Sequence, residues 1–176
     1  MRRVPRQPTL KSRIVLRPPA LADQREFIRA ARASRTLHGR WVHAPDTPQA
    51  FRAYVRRAAA PGSHAFLVCR RDSGAIVGVV NVSNVVMGLF RSAYLGYYAF
   101  SGHERQGLMC DGLRAVVRHA FKQLKLHRLE ANIQPGNAPS IALATACGFS
   151  KEGYSPRYLK IAGRWCDHER WAIVAS

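Results

Sequence analysis

Along the chain the spacing of apolar residues switches repeatedly between alternation and helical period, and each switch marks an element. RIVLRP alternates apolar with basic positions and stops at Pro18, the pattern of a first strand. Helix formers dominate from Ala20 to about Ala33, and a second helical stretch runs from about Thr47 to Ala59 before Pro61-Gly62, with GRWVHAPD as a loop between them. HAFLVCR and AIVGVVNVSNVV are β-branched runs joined by Arg71-Asp72-Ser73-Gly74, good hairpin chemistry, and SAYLGYYAF is a third such run. After Gly107, Met109, Leu113, Val116, Val117, Ala120, Phe121 and Leu124 recur at helical spacing while Asp111, Arg114, Arg118 and Lys122 take the opposite face. HRLEANIQ reads as another strand. Asn137-Ala-Pro-Ser then opens a short helix with an N-cap residue and an early proline, and Gly148 closes it. FSKEGYSPRYLKI and RWCDHERWAIV, separated by Ala162-Gly163, form a last hairpin.

The strand, helix and strand over residues 92–134 form a β-α-β unit, whose right-handed crossover makes those two strands parallel. The hairpins on either side are antiparallel, so the sheet is mixed. Gly112 falls inside the long helix, where glycine costs about 1 kcal/mol relative to alanine, a sign of something packed closely against it.

A chain of 176 residues that is 47% hydrophobic accommodates one domain with a substantial core and is too short for two full-sized ones. The arginines and prolines at the start predict a loose basic arm over residues 1–12, followed by a single domain over residues 13–176. Lys and Arg number 28 against 10 Asp and Glu, a net charge of +18. Such a field favours polyanionic partners, namely RNA, an acidic membrane surface or a phosphorylated cofactor, although arginine also serves as a plain surface solubiliser. Cys69, Cys110, Cys147 and Cys166 contain no C-x-x-C pair, and the histidines show no ligand spacing, so neither a zinc cage nor a disulfide framework is indicated and no metal is expected. The basic start is not followed by an apolar signal segment, and no 18-residue apolar run occurs, which predicts a cytoplasmic protein without a membrane partner.

Residues 103–112, HERQGLMCDG, stand at the carboxyl edge of a strand and open the long helix. A turn there offers unpaired N–H groups and the positive end of the helix dipole to an anion. A P-loop would need G-x-x-x-x-G-K-[ST], and a dinucleotide turn G-x-G-x-x-G; neither string occurs.

The same stretch resembles the acyl-CoA signature of the GNAT N-acetyltransferases, Gln/Arg-x-x-Gly-x-Gly/Ala, with Gly107 in the first glycine position. GVVNVSNVVMGLFRSAYLGY, RQGLM, LHRLEANIQPGNAPS, GFSKEGY and YLKIAGRWCDH are similar, in order and spacing, to the RimJ-type branch, the ribosomal-protein N-terminal acetyltransferases, over roughly residues 11–174. Glu104, Arg105 and Met109 depart from the general pattern, Met109 being usual in this branch. The resemblance implies an α/β (α+β) fold with a mixed, mostly antiparallel sheet of six to seven strands, a central parallel pair and about four flanking helices. It also implies acetyl-CoA as co-substrate, its pyrophosphate held by amides from about Gln106 through Gly107, Leu108 and Met109 to Cys110, with Arg105 adding charge.

What the resemblance implies for chemistry is direct transfer of the acetyl group to an amine. An N-terminal α-amine has a pKa of about 8, so a weak base or a water suffices. The family's oxyanion donor, a main-chain N–H on a bulged strand, corresponds to the region of Tyr97, Tyr98 and Ala99, where the side chains serve equally well as core. The family's tyrosine acid falls on Ala144, which leaves Ser140 as donor to the leaving thiolate, unless it only caps the helix or bonds the cofactor amide. Asn137 contacts the pantetheine arm or acts only as N-cap. Glu130 alternates with Arg128, Asn132 and Gln134 and is either the base or the partner of an arginine. Asp111 suits the helix dipole, and an acyl intermediate on Cys110 is not needed. Trp41, Tyr154 and Tyr158 are expected to shape substrate access, while Trp165, Asp167 and His168 match the branch's last hairpin and read as mostly structural.

The expected acceptor is the N-terminus of a ribosomal protein or other peptide, with a basic surface suited to ribosomal RNA and a monomer or homodimer as the working form. A small-molecule amine, an antibiotic or an aminoacyl-tRNA as acceptor, and a ribosome-assembly factor using the same fold, are the competing readings.

Overall fold

A computed structural model describes residues 12–176, so the expected N-terminal arm lies, apart from Ser12, outside the described residues. The strands are β1 (Ile14–Arg17), β2 (His64–Arg70), β3 (Ile76–Val86), β4 (Ser92–Ala99), β5 (Arg128–Ile133), β6 (Ser150–Ile161) and β7 (Arg164–Val174). They form one seven-stranded sheet in the order β1-β2-β3-β4-β5-β7-β6. Every neighbouring pair is antiparallel except β4 with β5, which is parallel as the crossover requires.

Among the described residues five helices flank the sheet: α1 (Gln24–Ala33), α2 (Arg35–His38), α3 (Pro48–Ala58), α4 (Leu108–Lys122) and α5 (Ala138–Ala146). The single turn α2 is the one the periodicity does not predict. Buried Ser34 breaks the helical run before it, its hydroxyl donating to Ala30 O at 2.7 Å and accepting from Ser101 N–H at 2.8 Å. The start expected at Ala20 is a 3-10 turn over Leu21–Asp23, where the Asp23 carboxylate accepts from Ala20 N–H at 2.8 Å. Thr47 caps α3 by accepting from Ala50 N–H at 3.2 Å, with proline at the first turn.

The apolar stripe of α4 packs on one face of the sheet, where Leu113, Val116 and Ala120 join Val68, Val80, Leu95, Leu129 and Ala131. On the other face α1 and α3 bring Phe27, Phe51 and Tyr54 against Leu67, Val79 and Phe100. The close packing anticipated at Gly112 is real, since a Cβ there would lie 2.6 Å from Val68 Cγ2.

One departure from a continuous sheet positions the site. β4 and β5 pair only from Ser92–Arg128 to Leu95–Ala131. Beyond that, β5 stays on β7 through Ile133–Glu169 while β4 stays on β3 through Ala99–Gly78. The two parallel strands therefore part, and a wedge opens between Gly96–Ala99 and Asn132–Ile133.

Candidate active site

The turn that feeds α4 is braced from outside. Arg13 of β1's leading residues donates through Nε and Nη2 to Asp111 Oδ2, at 3.0 and 2.7 Å, and through Nη1 to Gln106 O at 3.0 Å. Arg70 Nη1 donates to Gln106 Oε1 at 3.0 Å, and Gln106 Nε2 to Gly102 O at 3.3 Å. Asp111 thus fixes the loop, consistent with a carboxylate in a first helical turn. Gly107 caps α4 with φ of +73°, a left-handed conformation in which a side chain is strained. The first amide of α4 to find an acceptor is that of Asp111, on Gly107 O at 3.0 Å. Among the described residues the N–H groups of Gln106, Gly107, Leu108, Met109 and Cys110 donate to no protein group, leaving a row of amides for an anion. Arg105, exposed beside them with φ of +57°, is in no ion pair among the described residues. Met109 points inward, its sulfur packed over Gly78.

Where β4 and β5 part, a cavity of about 290 Å³ is lined by Trp41, Asn81, Tyr97, Asn132, Ser140 and His168, among others. α5 supplies one wall. Asn137 caps it, Oδ1 accepting from Ser140 N–H at 3.4 Å, and proline in the first turn fixes the entry. The Ser140 hydroxyl donates to Tyr97 Oη at 3.1 Å, and the Tyr97 phenol donates to Ser140 O at 3.0 Å. Burial pushes the Tyr97 phenol up to about 12, so it keeps its proton near neutrality. Asn137 therefore caps α5 and lines the cavity at once, while Ser140 lines it and holds Tyr97.

The main chain of β4 offers donors in the same wedge. Phe100 N–H donates to Val77 O at 2.7 Å, so by the alternation of an antiparallel ladder the N–H groups of Tyr97 and Ala99 point away from β3, toward the opening. The bulge expected at Tyr97–Ala99 is not there: β3 and β4 stay in register from Gly78–Ala99 to Ser83–Tyr94, and the irregularity lies between Ser83 and Val86. The separation of β4 from β5 exposes these groups instead. The Tyr98 side chain turns to the other face, edge-on to His38 and Phe100, where burial raises its phenol well above the usual range. His38 Nε2 takes the Ala99 carbonyl at 2.8 Å.

Other anticipated residues are placed differently. Glu130 does not line the cavity; Arg128 Nε donates to its Oε1 at 2.7 Å and the same guanidinium also engages Glu152. That fork makes Glu130 an ion-pair partner. Trp41 lines the cavity, whereas Tyr154 bonds Asp167 from an exposed position, and Tyr158 packs edge-on to His168 without lining the cavity itself. Sequence reasoning passed over the Tyr97 side chain and the Asn132 and His168 pair on neighbouring strands. The only local signal was alternation, which puts Asn132 and Arg170 opposite each other and His168 two residues away on the same face.

Cys110 Sγ lies 3.4 Å from Cys147 Sγ, and burial together with that neighbour pushes the Cys147 thiol up to about 12. Among the described residues no cluster of three His, Cys, Asp or Glu side chains could hold a metal, and no helix is long and apolar enough to cross a membrane.

Comparison with known proteins places this geometry. The acetyltransferase (GNAT) domain family matches residues 13–150. A probable N-acetyltransferase of Bacillus subtilis, YjcK, is 33% identical over 121 residues, 69% of this chain and 67% of that protein. The ribosomal protein uS5-alanine N-acetyltransferase of Escherichia coli is 43% identical over 103 residues, 58% of this chain and 53% of that protein, so the match spans about half its length. Among solved structures, Mycobacterium smegmatis RimJ in complex with CoA-disulfide superposes with a TM-score of 0.84 at 29% identity, covering 92% of this chain and 82% of that one.

Proposed function

The chain belongs to the acetyltransferase (GNAT) domain family, and we propose that it transfers the acetyl group of acetyl-CoA directly to the N-terminal α-amine of a ribosomal protein. One observation carries the reading: the wedge between β4 and β5 holds the Ser140–Tyr97 pair, and the chain leaving β4 runs into a row of amides, Gln106–Cys110, unpartnered among the described residues. The residues present fit the co-substrate. The amides and Arg105 suit its phosphates, Asn137 at the wedge suits the amide-bearing pantetheine arm, and the thioester belongs at the mouth of the cavity.

The Tyr97 and Ala99 N–H groups face the place where carbonyl oxygen gains charge as the amine attacks, the arrangement that stabilises an oxyanion. The Ser140–Tyr97 pair supplies a proton to the departing sulfur. A phenol is a stronger acid than an alcohol, so Tyr97 is the source and Ser140, whose hydroxyl donates to the phenol oxygen, its positioning partner.

The acceptor follows from charge. The cavity lining contains no carboxylate, and the molecule carries +18, an environment that disfavours a small polycationic amine. A single N-terminal α-amine, with a pKa of about 8, is partly neutral at physiological pH and needs no acidic clamp. The similarity to a uS5-alanine acetyltransferase supports a ribosomal protein as its bearer, and the basic surface suits attachment near ribosomal RNA in the cytoplasm.

Incubation with labelled acetyl-CoA, ribosomal proteins and spermidine tests this. Label is expected at the N-terminal residue of a ribosomal protein, with spermidine unlabelled. Label found only on spermidine overturns the acceptor assignment, and the absence of both transfer and any rise in Tm with acetyl-CoA overturns the enzyme reading.

A further inference from the structure

The cavity contains a proton acceptor that is not the carboxylate anticipated for the task. His168 sits on β7, 3% exposed, and lines the cavity with Asn132, Tyr97 and Ser140. Its Nδ1 lies 3.0 Å from Cys166 O. A carbonyl oxygen only accepts, so Nδ1 carries hydrogen and the neutral ring keeps its lone pair on Nε2. Nε2 has no hydrogen-bond partner among the described residues and is not sealed from solvent, in contrast to the closed-off atoms His103 Nδ1 and Asn132 Oδ1. The Tyr158 ring packs edge-on to the imidazole, centroids 6.3 Å apart.

Asn132 lines the same cavity from β5, while its Oδ1 is buried without a partner among the described residues and so is closed to a ligand in that space. β5 and β7 pair Asn132 with Arg170, so alternation puts His168 on the same sheet face as Asn132. Among the lining residues the only other ionisable side chains are Tyr97 and Tyr98, both with pKa values raised by burial.

We propose that His168 Nε2 is the general base for the acceptor amine, an assignment that rests on the acetyltransferase reading. The ammonium form of the acceptor gives one proton to Nε2, directly or through one water. The freed nitrogen pair forms the C–N bond at the thioester carbon, and the C–S bond breaks as the oxyanion collapses. Sulfur takes the proton of the Ser140–Tyr97 pair, the nitrogen's second surplus proton restores that pair, and the imidazolium releases its own to solvent.

The charged and titratable groups near the ring are Tyr158 from β6, Tyr97 from β4 in the cavity wall, and Asp167 and Arg170 on β7, while Tyr98 turns to the other sheet face. Asp167 is engaged by Tyr154 and by Arg157 N–H, the latter at 2.7 Å, and the Arg170 guanidinium reaches over Gly153, so neither occupies the space beside Nε2.

The test compares wild type with His168→Gln on a peptide carrying the N-terminal residues of ribosomal protein uS5, from pH 6 to pH 10. Loss of a general base lowers kcat/KM about 100-fold near pH 7. The deficit is expected to shrink at the alkaline end, where the α-amine is neutral without help, while the rise in Tm with CoA is unchanged. A loss of the same size at every pH would make His168 merely structural and overturn the proposal, as would full activity at pH 7. Long-range proton–nitrogen NMR of the wild type gives a reading independent of folding in the variant: the Nδ1–H tautomer is expected, and the Nε2–H tautomer would overturn the assignment. A wild type inert toward every ribosomal protein would instead defeat the acetyltransferase reading itself.

Discussion

Ser140 and Tyr97 are tied twice, hydroxyl to phenol and phenol to carbonyl, and two groups that act as one proton donor are not additive when removed. Tyr97→Phe and Ser140→Ala are each expected to lower kcat by about 100-fold, and the double variant by little more than either alone. Steady-state rates and CoA affinity for all three variants check this; a product of the two single effects in the double variant would mean that the side chains act independently. This pair also marks how far single residues were legible. Ser140 and Asn137 stood out because NAPS is a local signal, a cap followed by a first-turn proline. Tyr97, Asn132 and His168 did not, because their meeting depends on which strands separate and on the β5–β7 register, neither of which any short stretch encodes. Glu130 looked available for the opposite reason: its alternation was legible, but the double hold of Arg128 on Glu130 and Glu152 joins residues 24 apart.

Elements are held to the sheet by contacts whose strength is testable at two seams. At Gly112 helix propensity alone would make alanine better by about 1 kcal/mol, but the added methyl meets Val68 on β2 at 2.6 Å, and overpacking costs about 1–3 kcal/mol. Packing wins, so Gly112→Ala is expected to lower stability in urea unfolding. At the start of α1, Arg17 grips both Asp23 oxygens at 2.7 Å. Burial pushes the Asp23 carboxyl upward, but the Arg17 fork and the Ala20 amide outweigh it and leave the pKa below the ordinary value. A folded pKa below the unfolded one contributes stability above the unfolded pKa and loses it as pH falls through the folded pKa. Asp23→Asn is therefore expected to cost about 1–3 kcal/mol near neutrality, a cost that shrinks as pH falls below the ordinary carboxyl range and through the lowered folded pKa, as thermal melts across that range would register. These elements were largely legible beforehand, because strand alternation and the α4 stripe are local patterns. The single turn α2 was not, since buried Ser34 interrupts a run that is otherwise helical in composition.

At the scale of the whole molecule the unpaired charge decides. Seven of the ten carboxylates already face a basic partner, so among the described residues most basic side chains are in no ion pair, Arg105 at the amide turn among them, in a molecule of net charge +18. A field of that sign concentrates a polyanion and raises its rate of encounter by about tenfold or more, an effect that falls as salt shortens the Debye length from about 10 Å at 0.1 M to about 3 Å at 1 M. Acetyl-CoA carries phosphates, whereas acetyl-pantetheine presents the same thioester with none. The apparent KM for acetyl-CoA is accordingly expected to rise about tenfold between low and high salt, while that for acetyl-pantetheine stays nearly flat and starts far higher. Arg105→Ala is expected to raise the acetyl-CoA value and blunt its salt dependence, leaving the acetyl-pantetheine value unmoved. Initial rates with both donors across a salt series measure this directly. Parallel salt curves for the two would mean that the arginines serve solubility rather than recognition of the phosphates.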